Sequence, residues 1–186
     1  MYIEADAVSL ALAERNAESE PFTLLACDSV PVDNPKKLAK SLATLARRYQ
    51  LTGMPTQLIL EPDYYRLIQV DQPKVAEREL PAAVKWLVKD LIDFPVSEAA
   101  IDVFPMPARS GSQNKCNVVV AKAADIANIQ LAATQAGLEL VGMGIAELAL
   151  NALLSRLASA EYGVAIVVLQ PSAHLFSVSL DGELYY

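Results

Sequence analysis

The sequence predicts an α/β fold, because segments with the periods of strands and of helices follow one another along the chain. Residues 2–13 and 22–32 alternate between apolar and polar side chains, as in β-strands with one buried face. Later segments repeat apolar residues every three or four positions, as in helices that bury one side. Proline, glycine and short polar stretches separate these segments and predict turns.

The N-terminal part of the chain predicts a hairpin followed by a helix. The polar stretch at residues 14–20 joins the two alternating segments into one long predicted hairpin. Asn34 is a typical helix N-cap, and Pro35 suits the first helical position. The apolar stripe of this helix consists of Leu38, Leu42, Leu45 and Tyr49.

Two short strands and a second helix follow. The strands are predicted at residues 58–60 and 67–70, on either side of the turn Glu61-Pro-Asp-Tyr-Tyr65. A helix is predicted over residues 76–94, where Pro95 ends it. Its apolar stripe consists of Leu80, Val84, Leu87 and Leu91. At about 100° per residue, Trp86 falls roughly opposite that stripe.

The rest of the chain continues the alternation of strands and helices. Strand, strand, helix and strand patterns follow at residues 100–104, 117–121, 123–136 and 138–141. Apolar residues surround the next helix, 145–157, which predicts burial on nearly all of its sides. The segment 163–186 predicts strands with a hairpin turn at Asp181-Gly182.

The sequence does not favour a nucleic-acid partner, a membrane span or an export signal. The chain has 186 residues, is 53% hydrophobic and carries a net charge of −7. No excess of basic residues could attract phosphate backbones, so nucleic acid is not an expected partner. No apolar run approaches the roughly 20 residues that span a bilayer, and the N-terminus lacks the basic start and apolar core of an export signal. We expect the chain to be cytosolic.

Catalytic and metal-binding patterns are not found in the sequence. Cys27 and Cys116 are far apart, and each lies in a strand-like segment. Both are therefore expected to be buried, reduced thiols instead of disulfide partners or zinc ligands. His174 is the single histidine, and it begins a strand pattern without a serine or cysteine motif to accompany it. We expect no metal site and no catalytic residue.

Three motifs and the order of the elements carry a family resemblance. The motifs are Leu80-Pro-Ala-Ala-Val-Lys-Trp86, Phe94-Pro-Val-Ser-Glu-Ala-Ala-Ile-Asp102, and Gln135-Ala-Gly-Leu-Glu-Leu140 followed by Ala146-Glu-Leu-Ala-Leu150. Together they resemble the PilM- and GspL-like proteins, which are actin-like components of pilus and secretion assembly, and are most similar to the MSHA pilus biogenesis type, MshI. None of the motifs is catalytic, so they specify a fold and not a reaction.

The resemblance implies an actin-like, ribonuclease H-like α/β architecture. Subdomain 1A would comprise residues 1–74 and 138–160, and an inserted α/β subdomain, 1C, would comprise residues 75–137. Residues 161–186 would open a second domain that continues beyond this chain, because a bare edge strand rich in leucine and tyrosine is an aggregation hazard.

The resemblance also implies where a nucleotide would bind. ATP-binding members hold phosphates in two Asp-x-Gly hairpins, whose carboxylates position magnesium and whose amides approach the phosphates. The first corresponds here to Ile3-Glu-Ala-Asp-Ala-Val8, which has no glycine, and the second to Val168-Leu-Gln-Pro-Ser-Ala173. In the second, Leu169 cannot ligate a cation and Pro171 has no amide hydrogen. The adenine pocket would lie beyond Tyr186. We expect no nucleotide, no cofactor and no catalysis.

A membrane-protein tail is the partner that the resemblance implies. Related proteins bind the N-terminal tail of a PilN-like inner-membrane protein in a groove between 1A and 1C. A large aromatic on the polar side of a helix either packs against a neighbouring subdomain or marks a binding surface, which makes Trp86 the first candidate. Tyr64 and Tyr65 are the others, and one of the two is expected to be structural. An assembly ATPase and a second copy of the chain are further candidate partners.

These observations favour a non-catalytic cytoplasmic scaffold of type IV (MSHA-type) pilus biogenesis, held at the inner membrane by its partners. Two alternatives remain open. One is an actin-like ATPase of pilus assembly with a cryptic site. The other is a GspL-like cytoplasmic domain of type II secretion that binds the secretion ATPase, which a transmembrane helix further along the gene would favour.

Overall fold

The computed structural model describes residues 1–15, 17, 21–34, 37–107, 114–155, 163–169, 174–180 and 182–185. Its strands are β1 (Tyr2–Ile3), β2 (Ala7–Glu14), β3 (Thr23–Pro31), β4 (Pro55–Leu60), β5 (Tyr65–Asp71), β6 (Ala99–Pro105), β7 (Lys115–Lys122), β8 (Glu139–Ile145), β9 (Val164–Leu169), β10 (His174–Leu180) and β11 (Glu183–Leu184). Its α-helices are α1 (Leu38–Arg48), α2 (Leu80–Val88), α3 (Ala123–Gln135) and α4 (Ala146–Leu154).

Contacts divide the chain into two compact units, each assembled from two stretches of sequence. Unit 1 comprises Met1–Glu61 and Ala127–Gly144, and unit 2 comprises Pro62–Ile126 and Ile145–Tyr186.

Unit 1 is built on a mixed five-stranded sheet with strand order β3-β2-β1-β4-β8. The predicted hairpin is confirmed in part: β2 and β3 pair in antiparallel fashion from Ala7 opposite Pro31 to Glu14 opposite Thr23, but residues 2–13 form two strands, β1 and β2, instead of one. The short strand β1 pairs with β2 in antiparallel fashion and with β4 in parallel fashion. The side chains of Ile3, Val8 and Leu58 are completely buried in the core of this unit.

Helix α1 packs against the sheet of unit 1 and buries the leucines of its predicted stripe, namely Leu38, Leu42 and Leu45. Its predicted start is wrong. The N-cap is Lys37, because a turn closed by the Lys37 amide and the Asn34 carbonyl, 2.7 Å apart, precedes the helix. Pro35 lies outside the described residues.

Unit 2 contains an antiparallel three-stranded sheet with strand order β5-β7-β6. Helix α2 covers one face of this sheet. Val84 and Val88 of the helix form a core cluster with the β7 residues Cys116, Val118 and Val120, all of which are completely buried. Burial raises the pKa of the Cys116 thiol, as expected for a reduced core cysteine.

Helix α2 is shorter than predicted, and its buried stripe is different. The helix ends at Val88, and the chain continues through turns to Phe94. Leu80 and Val84 are buried as predicted, but Leu87 and Leu91 are 47% and 58% exposed. Val88 takes the third buried position, since it follows Val84 by four residues on the same helix face.

The C-terminal part of unit 2 is a second three-stranded sheet, with order β11-β10-β9. The predicted hairpin turn is confirmed by the pairing of Leu180 with Glu183, and Gly182 takes the positive φ of 79° that such a turn requires. Asp181 lies outside the described residues. Asn151 of α4 donates to the Gly182 carbonyl at 2.7 Å and ties the helix to this turn.

Three other predictions differ from the structure. Helix α4 is not buried on nearly all sides, because Leu148 and Leu153 are 38% and 62% exposed and only one face packs on β10 and β11. Cys27 is exposed on the edge strand β3, although it is a free thiol as expected.

The third difference is the boundary that was placed between residues 74 and 75. Strand β5 lies before it in sequence, yet β5 pairs with β7 along its whole length, and unit 2 begins at Pro62. Residues 65–71 therefore belong to the same sheet as β6 and β7. The division into subdomains 1A and 1C and a second domain stays a prediction.

A polar cluster joins β3 to the end of α1 in unit 1. Asp28 accepts hydrogen bonds from the Arg48 guanidinium, from the Tyr49 hydroxyl at 3.0 Å and from the Ser29 amide at 2.8 Å. The Arg48 hydrogen bond is the largest of the causes that lower the pKa of Asp28 below its ordinary value. The same pairing raises the pKa of Arg48.

We predict that Arg48→Gln raises the pKa of Asp28 towards the ordinary aspartate value of about 3.9. An acid whose pKa is depressed by folding adds stability above its unfolded pKa and loses that contribution as pH falls through the folded value. The Asp28 carboxyl carbon can be titrated by NMR. Arg47→Gln is the matched control, since Arg47 donates to the Ala43 carbonyl and not to an acid. An Asp28 pKa that Arg48→Gln leaves unchanged would contradict the assignment.

Candidate partner-binding surface

Helix α2 presents a second apolar face to solvent. Its first turn contains Pro81, whose missing amide hydrogen costs nothing at that position. The buried stripe takes only one side of the helix. The opposite side carries Ala82 and Trp86, both exposed and roughly 40° apart at about 100° per residue, whereas the exposed Leu87 borders the buried stripe. The helix is therefore apolar on both sides, which packing against its own sheet does not require.

Trp86 is the most prominent residue of this outward face. Its side chain is 72% exposed, as the helical position opposite the stripe predicted. The assignment of Trp86 to a binding surface stays a prediction. Leu87 was assigned to the core but is 47% exposed at the edge of the buried stripe.

Tyr64 and Tyr65 lie in a cleft at the end of the β5-β7-β6 sheet. The cleft has a volume of about 100 Å³. It is lined by Asp63, Tyr64, Tyr65, Arg66, Asp93, Phe94, Val120, Ala121, Lys122 and Asp125. Trp86 is not among these residues, so the predicted site residues lie at two separate places in unit 2.

Both signs of charge line the cleft, together with aromatic surface. Arg66 and Lys122 supply cations, and three aspartates supply anions. The Lys122 ammonium lies 5.5 Å from the centre of the Phe94 ring, within the range of a cation–π contact. Such a mixed lining suits a peptide with polar and apolar side chains better than a single ionic group.

Tyr65 is the structural member of the tyrosine pair. Its side chain is only 4% exposed. Its hydroxyl donates a hydrogen bond to the Glu147 carboxylate and accepts one at 3.2 Å from the amide of Ala146, the first residue of α4. Tyr65 thus fixes the start of α4, whereas the half-buried Tyr64 keeps surface that a ligand could contact.

The first predicted phosphate hairpin, between β1 and β2, holds a carboxylate of its own. The amide of Ala5 donates to the side chain of Glu61 at 2.8 Å, and Glu61 is only 2% exposed. The Ser9 hydroxyl donates to Glu4 at 2.8 Å in the same turn. An amide that is already bonded to an internal carboxylate is not available to a phosphate.

The second predicted phosphate hairpin lies largely outside the described residues, which exclude 170–173. Leu169, the last described residue before the gap, is 74% exposed. His174 follows the gap, is exposed and begins β10 opposite Leu169, as its strand pattern predicted.

Neither a metal-ion site nor a membrane-spanning helix is found among the described residues. No three His, Cys, Asp or Glu side chains in these ranges lie close enough together to hold a metal ion. In the same ranges, no helix combines the length and apolar composition that crossing a membrane requires.

The sequence alone did not identify Glu61, Glu147 and Phe94 as parts of any site. Glu61 and Ala5 are 56 residues apart, and Tyr65 and Glu147 are 82 residues apart, so no local pattern connects them. Phe94 was interpreted as the last residue of a helix. The proline that follows Phe94 was the available signal that this residue could lie outside the helix, since the residue before a proline is disfavoured in helical conformation.

Comparison with known proteins gives matches in structure. No family model and no curated protein matches the sequence. The chain is similar to a solved chain of the PilM-PilN type IV pilus biogenesis complex, with a TM-score of 0.77 and 21% identity over 100% of this chain. It is also similar to the cytoplasmic domain of EpsL, an inner membrane component of the type II secretion system of Vibrio cholerae, with a TM-score of 0.65 and 13% identity over 98% of this chain.

These likenesses show that the chain has the mixed α/β fold of the two solved proteins. The chain spans 58% of the length of the first and 67% of the second.

We predict that Tyr65→Phe lowers the free energy of unfolding by about 1–3 kcal/mol, because it leaves the Glu147 carboxylate and the Ala146 amide without the hydroxyl. A double-mutant cycle with Glu147→Gln, followed by urea denaturation, measures the coupling between the two side chains. A coupling energy near zero would show that the hydroxyl–carboxylate contact does not stabilise unit 2.

Proposed function

We propose that this chain is a non-catalytic scaffold of the PilM/GspL-like type, which acts in pilus biogenesis by binding the cytosolic tail of a PilN-like inner-membrane protein. The observation that carries the proposal is the structural likeness over the whole chain to a protein of the PilM-PilN complex. The finer assignments, to an actin-like subdomain arrangement and to the MSHA pilus protein MshI, rest on the sequence motifs. The chain would lie in the cytoplasm, next to the inner membrane through its partner.

The surface of unit 2 supports the binding of a peptide tail. The outward face of α2 supplies an exposed tryptophan, a residue type enriched among the anchors of protein interfaces. The cleft at Tyr64 supplies both signs of charge for polar groups of the tail. No described helix could itself anchor the chain in a membrane, which fits a protein that reaches the membrane through a partner.

The β1–β2 turn supports a non-catalytic role. Phosphate binding there would need free amides and low negative charge, but the buried Glu61 carboxylate already occupies the Ala5 amide. Its negative charge would also repel a phosphate group. The alternative of an actin-like ATPase requires that the Ala5 amide is released from Glu61 and that the negative charge of Glu61 is removed from the turn.

The likeness to the EpsL cytoplasmic domain favours a second candidate, a GspL-like component of type II secretion that binds the secretion ATPase. The two candidates differ in their partner. Binding to a PilN-like tail supports the pilus role, and binding to a secretion ATPase with no tail binding supports the secretion role.

We predict that Trp86→Ala weakens binding of the PilN-like tail by about 2 kcal/mol or more, which is the effect expected when an exposed aromatic anchor is truncated. The melting temperature should change little, because the side chain is 72% exposed. Isothermal titration with a tail peptide and a thermal melt measure the two effects.

Phe22→Ala is the matched control for Trp86→Ala. Phe22 is another exposed aromatic, at 58%, but it belongs to unit 1, and its loss should leave tail affinity unchanged. Lower stability with unchanged tail affinity in Trp86→Ala would remove Trp86 from the site. The cleft at Tyr64 would then be the remaining candidate.

We predict that this chain does not bind Mg·ATP with micromolar affinity. The physical reasons are the occupied Ala5 amide in the first hairpin and the leucine and proline in the second. Isothermal titration calorimetry decides the question. Glu61→Gln should remain unable to bind, because the turn still contains no glycine, and micromolar binding by the unmodified protein would favour the ATPase alternative.

A further inference from the structure

We draw no further inference here: the strongest candidate, the exposed apolar face of the β9–β10 strand pair in unit 2, where Phe176 lies opposite Val167 and Leu169 is 74% exposed, carries nothing because nothing in the described structure shows what covers it.

Discussion

Strand β7 is buried on both faces of its sheet, and the properties of unit 2 depend on that constraint. One face consists of Cys116, Val118 and Val120, which pack on α2. The other face includes Asn117, which is 1% exposed. Because the first face takes only one side of α2, the opposite side of that helix, with Trp86, is left for another contact. On the second face, the side-chain amide of Asn117 has no hydrogen-bond partner among the described residues.

Each unit contains a buried glutamate, and the two differ in their partners. Glu61 in unit 1 accepts the amide of Ala5, which is then not available to a phosphate. Glu147 in unit 2 accepts the hydroxyl of Tyr65. A buried carboxylate is costly unless it has partners. In unit 1 the partner is a backbone amide, and in unit 2 it is a tyrosine hydroxyl that also fixes the start of α4.

A scaffold of this kind would gain specificity from spatial separation of its contacts. The α2 face offers the aromatic surface of Trp86, and the cleft at Tyr64 offers both signs of charge. The acidic character of the chain, with a net charge of −7, disfavours direct binding to anionic lipid.

The sequence by itself determined the elements that local periodicity specifies. These include the β2–β3 hairpin, the leucine stripe of α1, the strands of both units and the outward position of Trp86, since each depends on residues close together in the chain. Only the tertiary structure decided which strand pairs with which: β5 pairs with β7, and unit 2 begins at Pro62. It also decided burial where a pattern was ambiguous, as at Leu87, Leu91 and Cys27. The Glu61–Ala5 and Glu147–Tyr65 contacts join residues 56 and 82 positions apart, and contacts at such separations leave no local period to detect.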